Sequence, residues 1–230
     1  MKTIGLLGGT GWSSTMGYYT LLNELVGKRL GGYHSAKILL KSIDYHDIMS
    51  NYGKNHEKIA DILHAELIEL MSLNPDCIII CCNSLHKYYD LVRHDLYPDA
   101  DIPVFHAVEL VAQHINQQQY KKVLLLATKS TMEDGFFAKT LENHGIEVVI
   151  PDLAERDGMQ KILSDELIYN VVTQDSKHYF SKLIEAHPDC QSVVLGCTEF
   201  PLLVDSGNSV LPIINPVQLQ CAAAVEFALE

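Results

Sequence analysis

The chain reads as an α/β protein built from two related units, each a mainly parallel sheet flanked by helices. Three observations predict this. Short β-branched runs alternate with longer stretches of helical periodicity, the pattern of βαβ construction. Two of these runs end in cysteine: Ile78-Ile79-Ile80-Cys81-Cys82-Asn83-Ser84 and Val193-Val194-Leu195-Gly196-Cys197-Thr198-Glu199. Each is preceded, at a similar interval, by a Gly- or hydroxyl-rich turn, near residue 10 for Cys82 and near residue 130 for Cys197. The order strand, turn, helix, strand, helix, strand, cysteine therefore occurs twice.

In chain order, residues 2–7 form the first strand. The turn Gly8-Gly9-Thr10-Gly11-Trp12-Ser13-Ser14-Thr15 leads into a helix over 18–30. Gly5, Gly8 and Gly11 give GxxGxxG, which fits either backbone N–H groups facing an anion at a helix N-terminus or a tight turn that needs glycine. A dinucleotide fits less well, because Glu24 falls inside the helix and not at the end of a second strand. Gly31-Gly32 closes the helix, and 36–43 is the second strand. The polar bridge 50–56 is a loop or a flap. Residues 57–73 carry Ile59, Ile62, Leu63, Leu67, Leu70 and Met71 on one helical face, ended by Asn74-Pro75-Asp76. The third strand is 77–81.

Residues 86–96 read as a helix, 98–101 as a Pro/Asp crossover, 102–105 as a short strand and 110–119 as a helix. The strand 122–127 opens into Thr128-Lys129-Ser130-Thr131-Met132, followed by a helix over 134–144 and a strand over 147–150. Helices over 153–167 and 176–186 lead to the strand 193–195. A last strand, 211–214, precedes an alanine-rich helix over 219–229. The unit carrying Cys82 is expected to span 1–101 and 214–230, and the unit carrying Cys197 to span 102–213. Two such units facing each other would set two strand-end cysteines across one cleft, and open α/β sheets place their sites at the carboxyl ends of strands.

The totals exclude several classes. With 230 residues the chain has room for two compact units, and 47% hydrophobic and 20% charged residues are ordinary for a folded protein. The net charge of −12, without a basic cluster, argues against nucleic acid. No run approaches a membrane span and no secretory leader is visible. The six cysteines sit on or beside apolar runs, unlike a disulfide framework, so a reducing cytoplasm is expected. No paired cysteine or histidine motif suggests a metal site.

Two thiols on opposite faces of a carbon can do what one base cannot. One, as thiolate, removes the α-proton; the other, as thiol, returns a proton to the far face, inverting a stereocentre without a cofactor. Such thiols need an environment that tunes a group whose ordinary pKa is near 8.5. Asn83, Ser84, Thr128, Ser130 and Thr198 are placed to hold a carboxylate and an amine. Glu199 is a mate for a substrate ammonium, a neighbour tuning Cys197, or a solvated strand end. Cys77, Cys81, Cys190 and Cys221 read as core, Cys81 pointing to the face opposite Cys82. His86 lies one turn past the site and is expected on a helix surface, or else supporting the site.

Residues 4–15, Leu30-Gly31-Gly32-Tyr33-His34-Ser35-Ala36, Cys82-Asn83-Ser84-Leu85-His86, Ser130-Thr131-Met132-Glu133 and Gly196-Cys197-Thr198-Glu199 together resemble the aspartate/glutamate racemase family. The resemblance covers essentially the whole chain. It implies two α/β domains related by a pseudo-twofold axis, a site in the cleft between them, racemisation without pyridoxal phosphate, and a homodimer. By motif, Cys82 and Cys197 are the two acid/bases. Asn83, Ser84, Thr198 and Glu199 contact the acidic amino-acid substrate, with Thr10 and Thr131 nearby; no metal or other cofactor is implied. The first motif usually reads Cys-Asn-Thr; Ser84 keeps the hydroxyl. Lys54, Lys129 and Lys161 are the candidate cations for a distal carboxylate. Competing readings are a cis–trans isomerase or decarboxylase of a small dicarboxylic acid, and a non-catalytic nucleotide- or ligand-binding α/β protein.

Overall fold

The computed structural model describes residues 1–96 and 102–230. The crossover expected at 98–101 lies outside the described residues. The chain divides into two compact units, Met1–Ala107 with Val217–Glu230, and Val108–Pro216. Each has its own parallel sheet.

In the first unit, β1 (Ile4–Gly8), β2 (Ile38–Ser42) and β3 (Cys77–Ile80) form a sheet of order β2-β1-β3, all parallel. β1 and β3 are short, apolar and fully buried, as parallel strands covered on both faces must be, whereas β2, at the sheet edge, is only partly buried. Alternation sorts their side chains. Ile4, Leu6, Cys77, Ile79 and Cys81 pack with Tyr18, Leu22 and Val26 of α1 (Trp12–Leu30), and with Cys221, Ala224 and Val225 of the C-terminal helix Pro216–Leu229. Leu7, Ile78 and Ile80 pack on the other face with α3 (His56–Met71), which follows the single turn α2 (His46–Met49), and with α4 (His86–Val92). Each fully buried Ile or Leu contributes about 1.5–3 kcal/mol. α3 starts where the Asn55 side chain accepts the Lys58 N–H, and stops before Asn74, whose φ is 53°.

α1 begins six residues earlier than the expected 18–30. Trp12-Ser13-Ser14-Thr15 is its first turn, and the Thr15 hydroxyl both donates to the Gly11 carbonyl and accepts from the Gly9 N–H (3.0 Å). Hydroxyls that suggest a loop therefore brace a helix start. Gly9 has φ 90°, and a Cβ there would lie 2.2 Å from the Ile43 carbonyl oxygen. Its glycine is required by the close packing of the turn on the chain after β2.

The second unit repeats the order. α5 (Ala107–Gln117) leads to β4 (Lys122–Leu126), α6 (Lys129–Glu133), α7 (Phe136–Asn143), β5 (Glu147–Val149), α8 (Leu153–Asp165), α9 (Gln174–Glu185), β6 (Ser192–Leu195) and β7 (Ile213–Ile214). Its sheet runs β5-β4-β6-β7, all parallel. β4 therefore matches β1, β5 matches β2 and β6 matches β3. The match extends further. Val193 N–H donates to the Pro212 carbonyl where Ile78 N–H donates to the Pro103 carbonyl, both at 2.9 Å. The strand expected at 102–105 is only a single bridge, Ile78 to Val104. Likewise, the strand expected at 211–214 is the short β7. Proline at 103 and 212 has no N–H to extend either ladder. Among the described residues, no helix is long and apolar enough to cross a membrane.

Candidate functional site

Both strand-end cysteines sit two residues past the last residue of their strand: Ile80 ends β3 before Cys82, and Leu195 ends β6 before Cys197. The residue between extends the ladder one step. Cys81 N–H donates to Leu7 C=O (2.9 Å), and Gly196 N–H donates to Leu126 C=O (2.7 Å). A Cβ on Gly196 would lie 2.9 Å from the Ala127 Cβ, so β6 leaves the sheet as close to its neighbour as a bare backbone allows. The chain then turns, and each sulfur stands at the carboxyl end of its sheet.

In the first unit, Cys82 is half-buried and its Sγ lies 3.4 Å from the Ser84 Oγ. Asn83, Ser84 and Leu85 form one 3-10 turn ahead of α4, with Asn83 buried. Thr10 is buried after β1, and its hydroxyl donates to the Cys81 carbonyl (3.3 Å), joining the two strand ends. Two phenols complete the cluster. The Tyr52 hydroxyl lies 2.9 Å from the Ser84 Oγ, and Tyr45 packs against the same apolar cluster as Tyr52 and Cys82. Burial, with Cys82 next, pushes both phenols well above their ordinary pKa, so they stay protonated donors. Tyr52 packs edge-on against Tyr88, whose hydroxyl is 2.7 Å from His56 Nδ1. The polar bridge expected as loop or flap thus includes a residue, Tyr52, that reaches the cysteine turn. Neither tyrosine is among the residues expected at the site. The sequence places Tyr45 shortly before the polar bridge and Tyr52 within it, with no local pattern that ties either to the cysteine turn.

Cys81 packs on the opposite face, as alternation requires, and burial followed by nearby Cys221 pushes its thiol far up. His86 is fully buried, not on a helix surface. Its Nε2 accepts from the Ala107 N–H (3.4 Å) and lies 3.4 Å from Gln220 Nε2. Gln220 in turn accepts from the Tyr18 hydroxyl (2.6 Å) and donates to the Phe105 carbonyl (2.8 Å). Burial first, then His106 at a ring distance of 4.3 Å, holds His86 neutral well below the usual histidine range.

In the second unit, Cys197 is buried and its thiol donates to Glu199 Oε2 (3.1 Å). The Thr198 hydroxyl donates to the same oxygen (2.9 Å). Of the three readings of Glu199, this geometry has the carboxylate beside the thiol. Thr128 lies two residues past β4, the counterpart of Thr10 past β1. It caps α6 by accepting the Thr131 N–H (3.2 Å), and its hydroxyl is 2.8 Å from that of buried Thr131. Thr131 is thus turned toward Thr128. Of the candidate cations, Lys129 is paired with Asp157 (2.5 Å), while Lys54 and Lys161 are exposed.

The family model described as Asp/Glu/Hydantoin racemase matches residues 7–224. A candidate Asp/Glu racemase from Yersinia pestis has a solved structure matching 100% of both chains, with a TM-score of 0.88 and 34% identity. Over 222 residues, 92% of each protein, the chain is 24% identical to the broad specificity amino-acid racemase RacX of Bacillus subtilis. It is 29% identical to a glutamate racemase of a Nitratiruptor species over 136 residues. That match covers 57% of this chain and 49% of the relative, about half its length.

Proposed function

We propose that this chain, which belongs to the Asp/Glu/Hydantoin racemase family, racemises an acidic amino acid, aspartate or glutamate, using Cys82 and Cys197 as its two acid/bases and no cofactor. The observation that carries this reading is the matched placement of the two cysteines. Each is two residues beyond the end of an equivalent strand, with an oxygen within reach of its sulfur: Ser84 at 3.4 Å and Glu199 at 3.1 Å.

The chemistry balances with protons alone. The thiolate of one cysteine takes the α-proton, and the electron pair left behind delocalises into the α-carboxylate. The thiol of the other then gives its proton to the opposite face of the α-carbon. Each turnover exchanges the protonation states of the pair, leaving the enzyme ready for the product enantiomer. For one enantiomer Cys82 abstracts and Cys197 donates; for the other the roles reverse. Thr10, Asn83, Ser84, Thr131 and Thr198 are assigned to the substrate's carboxylate and amine, where fixed donors stabilise the developing charge. Glu199 is assigned two contacts, the Cys197 thiol and the substrate ammonium. On the same reading the protein is a cytoplasmic homodimer, each subunit holding one unit with Cys82, expected over 1–101 and 214–230, and one with Cys197, expected over 102–213.

The test is a chiral screen over all amino acids, after dialysis against a chelator and with no added pyridoxal phosphate. Interconversion of L- and D-aspartate or glutamate is the expected result. Because the Bacillus subtilis relative is named for broad specificity, the screen includes neutral and basic amino acids. Turnover of those in preference to acidic ones, or turnover that requires a metal or pyridoxal, would contradict the reading.

A further inference from the structure

We propose that Tyr45 and Tyr52 are positioning residues for Cys82, Tyr52 acting through Ser84 and Tyr45 from beside it, in a network of hydroxyl donors that stabilises the thiolate. This rests on the two-thiol reading and deepens it. Tyr45 directly precedes α2, and Tyr52 lies in the turns that follow. Both pack against the same apolar cluster as Cys82. Two hydroxyls reach the sulfur in series, Ser84 at 3.4 Å and Tyr52 behind it at 2.9 Å, and Tyr45 packs beside them on that cluster, its phenol pKa raised by burial and then by Cys82.

The chemistry of the donors gives the sign. A phenol held protonated by burial can only donate to a thiolate, and a hydrogen bond to an ionised acceptor is roughly twice as strong as a neutral one. Ser84 can orient its proton to the sulfur while its oxygen accepts from Tyr52, so the Tyr52 donor acts through the serine. Other titratable groups around Cys82 differ. Cys81 lies on the opposite face of the strand and stays a thiol. Tyr88 and His56 bond one another and stand behind Tyr52. Cys197, by contrast, donates its proton to a carboxylate. The two cysteines are thus set in opposite states: Cys82 among donors as the resting thiolate, Cys197 against an acceptor as the resting thiol.

The test uses the full-length protein and follows iodoacetamide alkylation at Cys82 by mass spectrometry across pH, alongside the pH profile of kcat/KM. Tyr45→Phe and Ser84→Ala are each expected to raise the alkylation midpoint by about one pH unit, a tenfold loss of thiolate at neutral pH. Tyr52→Phe should raise it by less. The acid limb of kcat/KM should move upward with it in each variant. Tyr88→Phe, which removes a buried phenol bonded to His56, should leave the midpoint where it is. Folded Tyr45→Phe and Ser84→Ala proteins that alkylate with the wild-type profile would overturn the proposal, while wild-type racemisation would still uphold the two-thiol reading. A raised midpoint in a protein that racemises nothing would instead uphold the donor network and remove the racemase reading. If Tyr45→Phe does not fold, Tyr52→Phe and Ser84→Ala carry the same decision.

Discussion

Cys81 and Cys82 are neighbours on the chain and opposites in setting. Alternation along a strand puts Cys81 among α1 and the C-terminal helix and turns Cys82 toward Ser84. That much is legible in the residues themselves. The substitution Cys81→Ser should therefore cost stability, about 1–3 kcal/mol for a hydroxyl in an apolar site, and leave turnover per folded molecule near wild type. Urea melts and kcat check the two halves separately. Glu199→Gln should behave in the opposite way: little change in the melt, but a shifted pH profile of kcat/KM, because the acceptor beside the Cys197 thiol loses its charge. Other residues were not legible. Tyr52 meets Ser84 across 32 positions of sequence, and nothing in the local pattern of a polar bridge announces that contact. His86 looks like a helix-surface histidine until Gln220, 134 positions away, closes over it.

At the scale of elements, the βαβ order, the cysteine strands and the doubling were readable because each depends on short-range periodicity. The departures have local causes that composition hides. The hydroxyl-rich run after Gly11 looks like loop, yet Thr15 turns its side chain back to brace the first turn of α1. The stretch 102–105 looks like a strand, yet Pro103 limits it to one bridge. The turn between β1 and α1 supplies the sharpest structural prediction. Gly9→Ala puts a Cβ at φ 90° against the Ile43 backbone, where no flexible side chain can move aside. It should lose at least ~2 kcal/mol in denaturant unfolding or fail to accumulate as folded protein. Thr128→Ala removes the α6 cap together with the hydroxyl contacts to Ser130 and Thr131, so a loss of about 1–2 kcal/mol is expected.

For the whole molecule, the buried His86 ties stability to pH. Its folded pKa is depressed, so the unfolded chain takes up a proton at His86 as pH falls through about 6.5 while the folded chain does not. The unfolded state then binds more protons, and stability drops with falling pH by up to about 1.4 kcal/mol per unit. Unfolding free energies between pH 7.5 and 5.5 should show this slope in the wild type and a flatter one in His86→Gln; equal slopes would remove His86 as the cause. The family and its two-unit plan were likewise readable from motifs spread over the whole chain. Substrate choice was not, since one methylene between aspartate and glutamate alters discrimination by only ~1–3 kcal/mol. The account's central claim is that two thiols serve opposite faces of one carbon, and α-hydrogen exchange in D₂O tests it most directly. Wild-type protein should exchange and racemise both enantiomers of its acidic substrate. Cys82→Ser and Cys197→Ser should each lose racemisation by orders of magnitude, while weak exchange without inversion survives for one enantiomer in the first variant and for the other enantiomer in the second. Near wild-type racemisation by either variant, or exchange of the same enantiomer by both, would contradict the two-thiol mechanism.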